Sequence, residues 1–174
     1  RLPTDPTAAI QAPRAPARLP VAFTDGQISA LLETAKTEDP QARPAAPLLD
    51  VAIVLILAAG GLRASEAAGL RALDYRPGDE PSLRVVGKGR KARTVPLDPG
   101  VAAQIDTYLP WRAERLPGQS DSSPLLIRPD GRALTRDTIS YRVNRLYARA
   151  GIAKPEGEAA HALRHTYAVS MVDV

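Results

Sequence analysis

At 174 residues the chain is long enough for a single domain with a sizeable hydrophobic core. It has no cysteine and only two histidines, which excludes disulfides and thiolate metal sites and argues against a multi-histidine metal centre. A net charge of +4 and an isoelectric point near 9.7 suit an anionic partner such as a polyphosphate.

Residues 1–20 hold five prolines and five alanines without amphipathic period, and so read as an extended linker ahead of a domain over 21–174. Arg rather than Met stands at position 1, so the chain is expected to be part of a longer or processed protein. A first helix is predicted from Thr24, where Thr24-Asp25-Gly26-Gln27 fits a capping box and Ile28, Leu31, Leu32 and Ala35 form an apolar face. Residues 39–47, with three prolines, are a loop. Residues 48–59 are apolar almost all round, which predicts a central buried helix. The apolar run is interrupted by Asp50 and Gly60-Gly61 and falls short of the about 20 residues that span a bilayer.

Gly60-Gly61 ends that helix in a tight turn and throws Arg63 outward, with a further short helix over 65–70. Ser82–Val86 and Ala92–Pro96 read as paired strands joined by a glycine-flanked turn around Lys88. Residues 99–109 are predicted helical, with Pro110 kinking or ending the helix. Residues 125–127 are a short strand or a loop. A helix over 135–150 has Thr135 as its cap, Ile139, Val143 and Leu146 inward, and Gly151 as its stop. A last helix begins near His161. The fold class is mainly α with a small antiparallel β-sheet (α+β).

The positive charge is concentrated. Residues 81–97 carry Arg84, Lys88, Arg90, Lys91 and Arg93 with no acid, and residues 131–151 carry five arginines against Asp137 alone. In the second group Arg142, Arg145 and Arg149 fall at helical spacing and form one basic stripe. Both patches are candidates for DNA contact, although a merely solvated basic surface has the same composition.

Three cassettes carry the chemistry: Gly61-Leu62-Arg63-Ala64-Ser65-Glu66, then Gly87-Lys88-Gly89-Arg90-Lys91-Ala92-Arg93-Thr94-Val95-Pro96-Leu97, then His161-Ala162-Leu163-Arg164-His165-Thr166. Phosphodiester chemistry without a metal needs fixed cations around the pentavalent phosphorus, and an arginine fork serves two oxygens at once without deprotonating. Arg63 and Arg164 are candidates for that clamp, where one preorganised donor is worth about 2.7–4 kcal/mol. Read alone, Arg63 has Glu66, three residues on, as its obvious partner, and a simple ion pair is the favoured reading. Lys88, between two glycines at a hairpin tip, could protonate a leaving oxygen, with Lys91 its rival and an exposed turn lysine the plainer alternative. His161 and Arg164 share a helix face, where an imidazole can move a proton near neutral pH. His165 could be a structural histidine bonded to backbone.

Together and in this order, the cassettes resemble the catalytic domain of the tyrosine recombinases, the phage-integrase and Xer-like family, over roughly residues 20–174. The resemblance implies site-specific DNA cleavage and rejoining through a 3′-phosphotyrosyl intermediate, with neither metal nor other cofactor. It implies catalytic roles for Arg63, Lys88, His161 and Arg164, with Glu66 and His165 in support, and DNA contacts from Arg90, Lys91, Arg93, Arg142, Arg145 and Arg149. Double-stranded DNA and other recombinase protomers on it are the implied partners, and the cytoplasm the implied location. The family's nucleophilic tyrosine lies beyond the second arginine by more residues than follow Arg164, and Tyr167 falls where the family usually has Phe. As it stands, the chain is therefore expected not to cleave DNA alone. Alternatives are a non-cleaving DNA-binding fragment or degenerate relative, and a type IB topoisomerase, which shares the chemistry but fits the hairpin and Gly-Leu-Arg box less well.

Overall fold

The computed structural model describes residues 23–41, 44–87, 89, 91–153, 160 and 162–163. The linker expected over 1–20 lies outside them. In chain order the described elements are α1 (Asp25–Lys36), α2 (Pro47–Ala58), α3 (Ala64–Ala68), a 3-10 turn (Ala72–Asp74), β1 (Tyr75–Arg76), β2 (Ser82–Val86), β3 (Ala92–Pro96), α4 (Pro99–Asp106), α5 (Tyr108–Arg115) and α6 (Arg136–Arg149). The architecture is mainly helical with one small antiparallel sheet, as the patterning implies.

The fold is organised around α2, which packs against α1, α3, α4, α5 and α6. Its residues from Leu49 to Ala58 are all buried, because a helix apolar on every side is stable only when surrounded. The one charged residue among them, Asp50, is matched from α6. Around α2 lie Leu31 and Ala35 of α1, Ile105 of α4, Tyr108 of α5, and Ile139, Val143, Leu146 and Tyr147 of α6. Leu163 of the third cassette and Ala160 just before it belong to the same core. Among the described residues no helix is long and apolar enough to cross a membrane.

The helix starts follow their caps. Thr24 Oγ1 accepts from the Gln27 amide while Gln27 Oε1 accepts from the Thr24 amide, the reciprocal capping box. Asp98 caps α4 through the Gly100 and Val101 amides, and Thr135 caps α6 through the Thr138 amide. At Pro110 the outcome differs from a simple stop. The chain breaks earlier, at Thr107, and α5 starts afresh with Pro110 in its first turn, where a missing N–H costs no helical bond.

The sheet order is β1-β2-β3, all antiparallel. The β2–β3 hairpin has the expected bounds; β1 is a two-residue addition that pairs Tyr75 with Leu83. Leu83 and Val95 are cross-strand partners facing the core, and Val85 pairs with Arg93 on that same face. This register puts the Arg93 side chain on the buried side of the sheet. Residues 125–127 form no named strand; Pro124 and Ile127 make single bridges to Arg71 and Ala133.

Candidate functional site

Arg63 is positioned by the end of α2. A Cβ on Gly60 would lie 2.5 Å from the Ile56 carbonyl oxygen, so only glycine lets the chain leave the helix there. Gly61 follows at a φ of 60°, the left-handed region that ends helices. Leu62 is then fully buried, and the turn it anchors delivers Arg63, in extended conformation, to the N-cap of α3. The Arg63 side chain is 53% exposed, the Glu66 side chain only 6%.

Glu66 sits on the first turn of α3, where a carboxylate complements the helix N-terminus. Its Oε2 accepts the Arg63 backbone amide at 2.8 Å, which fixes the turn. Both of its oxygens are taken by Arg93, Nη1 to Oε1 at 2.9 Å and Nη2 to Oε2 at 3.0 Å. The Arg63 guanidinium makes a weaker contact, Nη1 to Oε1 at 3.4 Å. Burial would push the Glu66 carboxyl up, but the hydrogen bonds from Arg93 and from the Arg63 amide outweigh it and hold the group at about 2. Glu66 is thus ionised and oriented, with two arginines around it.

The same carboxylate joins the first cassette to the second. Gly87, which opens the hairpin turn, lies so close that a Cβ there would be 3.6 Å from both Glu66 Oε1 and Arg93 Nη1. The turn is closed by the Gly87 amide donating to the Lys91 carbonyl at 2.9 Å, with Gly89 at a φ of 75°. Lys88 and Arg90 themselves lie outside the described residues, as do His161, Arg164 and His165. Within the third cassette, Ala162 and Leu163 are helical and buried.

A second buried carboxylate, Asp74 on the 3-10 turn, repeats the arrangement. Asp74 Oδ2 accepts the Arg71 amide at 3.0 Å and Arg71 Nε at 3.2 Å, while Oδ1 accepts Arg84 Nη1 at 3.3 Å. Burial opposes its ionisation and the arginine hydrogen bonds prevail, leaving its carboxyl below the ordinary range. Each long strand of the hairpin is therefore held to the α3 region by an arginine on a buried acid, β2 through Arg84 and β3 through Arg93.

On α6 the three guanidinium groups of the expected basic stripe are bonded to internal acceptors. Arg142 Nε donates to Asp50 Oδ1 at 2.7 Å. Arg145 holds both oxygens of Asp39 at 2.7 Å. Arg149 Nη2 gathers the carbonyls of Thr34, Thr37 and Glu38 at 3.0–3.2 Å and the Thr37 hydroxyl at 2.7 Å. A cation on the open carbonyls of a helix C-terminus is favourable both as a cap and against the helix dipole. These three residues form the seam of α6 with α1, α2 and the intervening loop. Arg93 also bonds an internal acid, Glu66, while 40% of its side chain stays exposed. Lys91 stays exposed on the hairpin.

Three of the described tyrosines, Tyr75, Tyr108 and Tyr147, are buried in the core. Tyr75 is bonded to Asp106 and pushed up by burial, Tyr147 is pushed up by burial, and Tyr108, buried between Leu125 and Ile127, is pushed up to about 12. Tyr141 is exposed on α6. Tyr167 lies outside the described residues. The sequence reading missed Arg93 as the partner of Glu66. The signal was present in the strand alternation, since Arg93 is two residues before the inward Val95.

The Phage integrase family model matches residues 22–173. A tyrosine recombinase XerD of Xanthomonas campestris pv. campestris is 37% identical over 177 residues, covering 97% of this chain and 52% of the relative. Among solved structures, XerA recombinase superposes with a TM-score of 0.72 at 27% identity, over 90% of this chain and 52% of that one. XerH site-specific recombinase, bound to difH substrate in a pre-cleavage complex, gives 0.73 at 24% identity, over 90% and 44%. The chain spans about half the length of the curated relatives it matches. Match length, relatives and architecture agree: the chain belongs to the phage integrase family, the tyrosine recombinases.

Proposed function

We propose that this chain is the catalytic portion of a site-specific DNA recombinase that cleaves and rejoins double-stranded DNA through a 3′-phosphotyrosyl bond. The observation that carries this reading is the half-exposed Arg63 guanidinium, delivered by the Gly60-Gly61 turn and held beside the β2–β3 hairpin by Glu66. An arginine so fixed can hydrogen-bond two non-bridging phosphate oxygens as charge develops on them. In this proposal Arg164 completes the clamp, Lys88 protonates the departing 5′-oxygen, and His161 shares proton transfer and phosphate contact. Glu66 orients Arg63, and His165 supports the His161 helix. The tyrosine that attacks is supplied by a segment outside these 174 residues, of the same or a neighbouring protomer. Energy is kept in the phosphotyrosyl bond, so rejoining needs no nucleotide. Duplex DNA and further recombinase protomers are the partners, and Arg90 and Lys91 on the hairpin supply phosphate contacts.

The test is covalent trapping by the complete protein on a nicked duplex that prevents rejoining. Arg63→Ala is expected to lower the rate of adduct formation by about 10²–10³ while largely sparing duplex binding. Full-rate cleavage by the variant would overturn the site assignment.

A further inference from the structure

We propose that Arg93 is a positioning residue, which acts by occupying Glu66 so that the Arg63 guanidinium stays available to DNA phosphate. The inference rests on the recombinase reading and adds to it a role for a residue that would otherwise count as one more basic contact. Three observations carry it.

The first is the competition for one carboxylate. Glu66 faces two guanidinium groups, and the geometry divides them unequally. Arg93 takes both oxygens in the bidentate arrangement at 2.9 and 3.0 Å, the stronger and more directional mode. Arg63 is left with a single contact at 3.4 Å and keeps more than half its side chain exposed. The second is register. Arg93 is paired with Val85 on the core face of the sheet, so its reach to Glu66 is set by the backbone rather than by a loose surface rotamer. The third is position. Arg93 is on β3 and Glu66 on α3, so the bond between them also seats the hairpin against α3.

Without Arg93, a nearly buried carboxylate would face Arg63 alone, three residues away on the same turn. Unpaired buried charge is costly, so the Arg63 side chain would swing inward to form the bidentate pair itself. The cation meant for phosphate would then be neutralised by its own neighbour. The Arg63 backbone would stay where it is, because its amide bond to Glu66 is separate. What changes is the direction of the guanidinium.

The experiment is a double-mutant cycle on covalent trapping by the complete protein. Arg93→Ala is expected to slow adduct formation about tenfold when Glu66 is present, the order of a partly lost oxyanion donor. In the Glu66→Gln background the same substitution is expected to change the rate by less than about twofold, since no carboxylate remains to capture Arg63. Arg93→Lys, which keeps the charge but lacks the planar fork, is expected to fall between wild type and Arg93→Ala. Equal losses in both backgrounds would overturn the proposal and return Arg93 to a role of its own.

A second readout needs no activity. Arginine-selective dicarbonyl labelling, mapped by mass spectrometry, reports how available Arg63 is in each variant. Arg93→Ala is expected to slow Arg63 labelling about threefold, as an ion pair of modest strength would, and Glu66→Gln in addition to restore it. An Arg63 labelling rate indifferent to Arg93 would overturn the inference. Absence of any adduct from the unaltered protein would instead count against the recombinase reading, and would leave the labelling result to decide the role of Arg93.

Discussion

Arg142 on α6 donates from Nε to Asp50 Oδ1 on α2 at 2.7 Å, across 92 positions of sequence. Both side chains are largely withdrawn from solvent, and Arg142 Nη2 is buried without a hydrogen-bond partner. Burial raises the Asp50 carboxyl and Arg142 pulls it back down, with burial the stronger influence. The pair joins the central helix to the helix that carries the basic stripe.

Removing one partner should cost more than removing both. Asp50→Leu alone leaves the Arg142 charge buried without its partner and is expected to destabilise by about 3–5 kcal/mol. Asp50→Leu combined with Arg142→Met replaces the pair by apolar volume and is expected to be less destabilising than either single change. Urea unfolding of the four proteins measures this, and additive losses would show that the pair is not coupled.

Glu66 predicts a pH dependence of definite sign. Its carboxyl is held at about 2 in the fold against an ordinary 4.5, so the ionised form contributes stability that is complete above pH 4.5. That contribution fades as pH falls through the window and is gone below about 2. Glu66→Gln is therefore expected to be less stable than wild type near neutral pH, with the two melting curves converging toward pH 2. A gap that stayed constant over the acid range would contradict the linkage.

The Gly60-Gly61 turn should tolerate no side chain at its first position. Gly60→Ala drives a Cβ into the Ile56 carbonyl, where backbone must shift, and is expected to cost about 1–3 kcal/mol. Gly61→Ala forces a left-handed φ on an L side chain, at about 1–2 kcal/mol. Both move Arg63, so covalent trapping is expected to fall more than duplex binding does. Parallel thermal melts and trapping assays on the two variants separate the effects.

The two basic regions should behave differently on DNA. Neutralising Lys91 removes an exposed cation and is expected to weaken binding alike on all sequences, lowering the salt slope by about 1. Arg145→Gln breaks an internal pair with Asp39 and is expected to leave the salt slope unchanged while lowering the melting temperature. Filter binding across a salt series distinguishes the two, and a reduced slope for Arg145→Gln would show the stripe to be a DNA contact.

The elements were largely legible because each has a local cause. The Thr24 capping box, the all-apolar run of α2, the glycines that end it, the alternation in β2 and β3 and the Thr135 cap all act within a few residues. Their signals are therefore complete in a short window of sequence. The Pro110 region was less so, because a proline in a first turn and a proline that ends a helix look alike until the break at Thr107 is seen. The two-residue β1 has too little sequence of its own to show a period.

The sequence by itself determined the cassettes, their order and the family they indicate, since these depend on residue types at fixed short spacing. Tertiary structure alone decided which arginines are spoken for. Arg142, Arg145 and Arg149 make a clean basic stripe on a helical wheel, yet their acceptors lie 92 to 115 positions away, on α1, α2 and the loop between them. The same holds for Arg93 and Glu66, 27 apart and joined only when the hairpin folds onto α3. A charge pair is a relation in space, and nothing in the local pattern of an arginine says whether the acid it meets lies three residues away or a hundred.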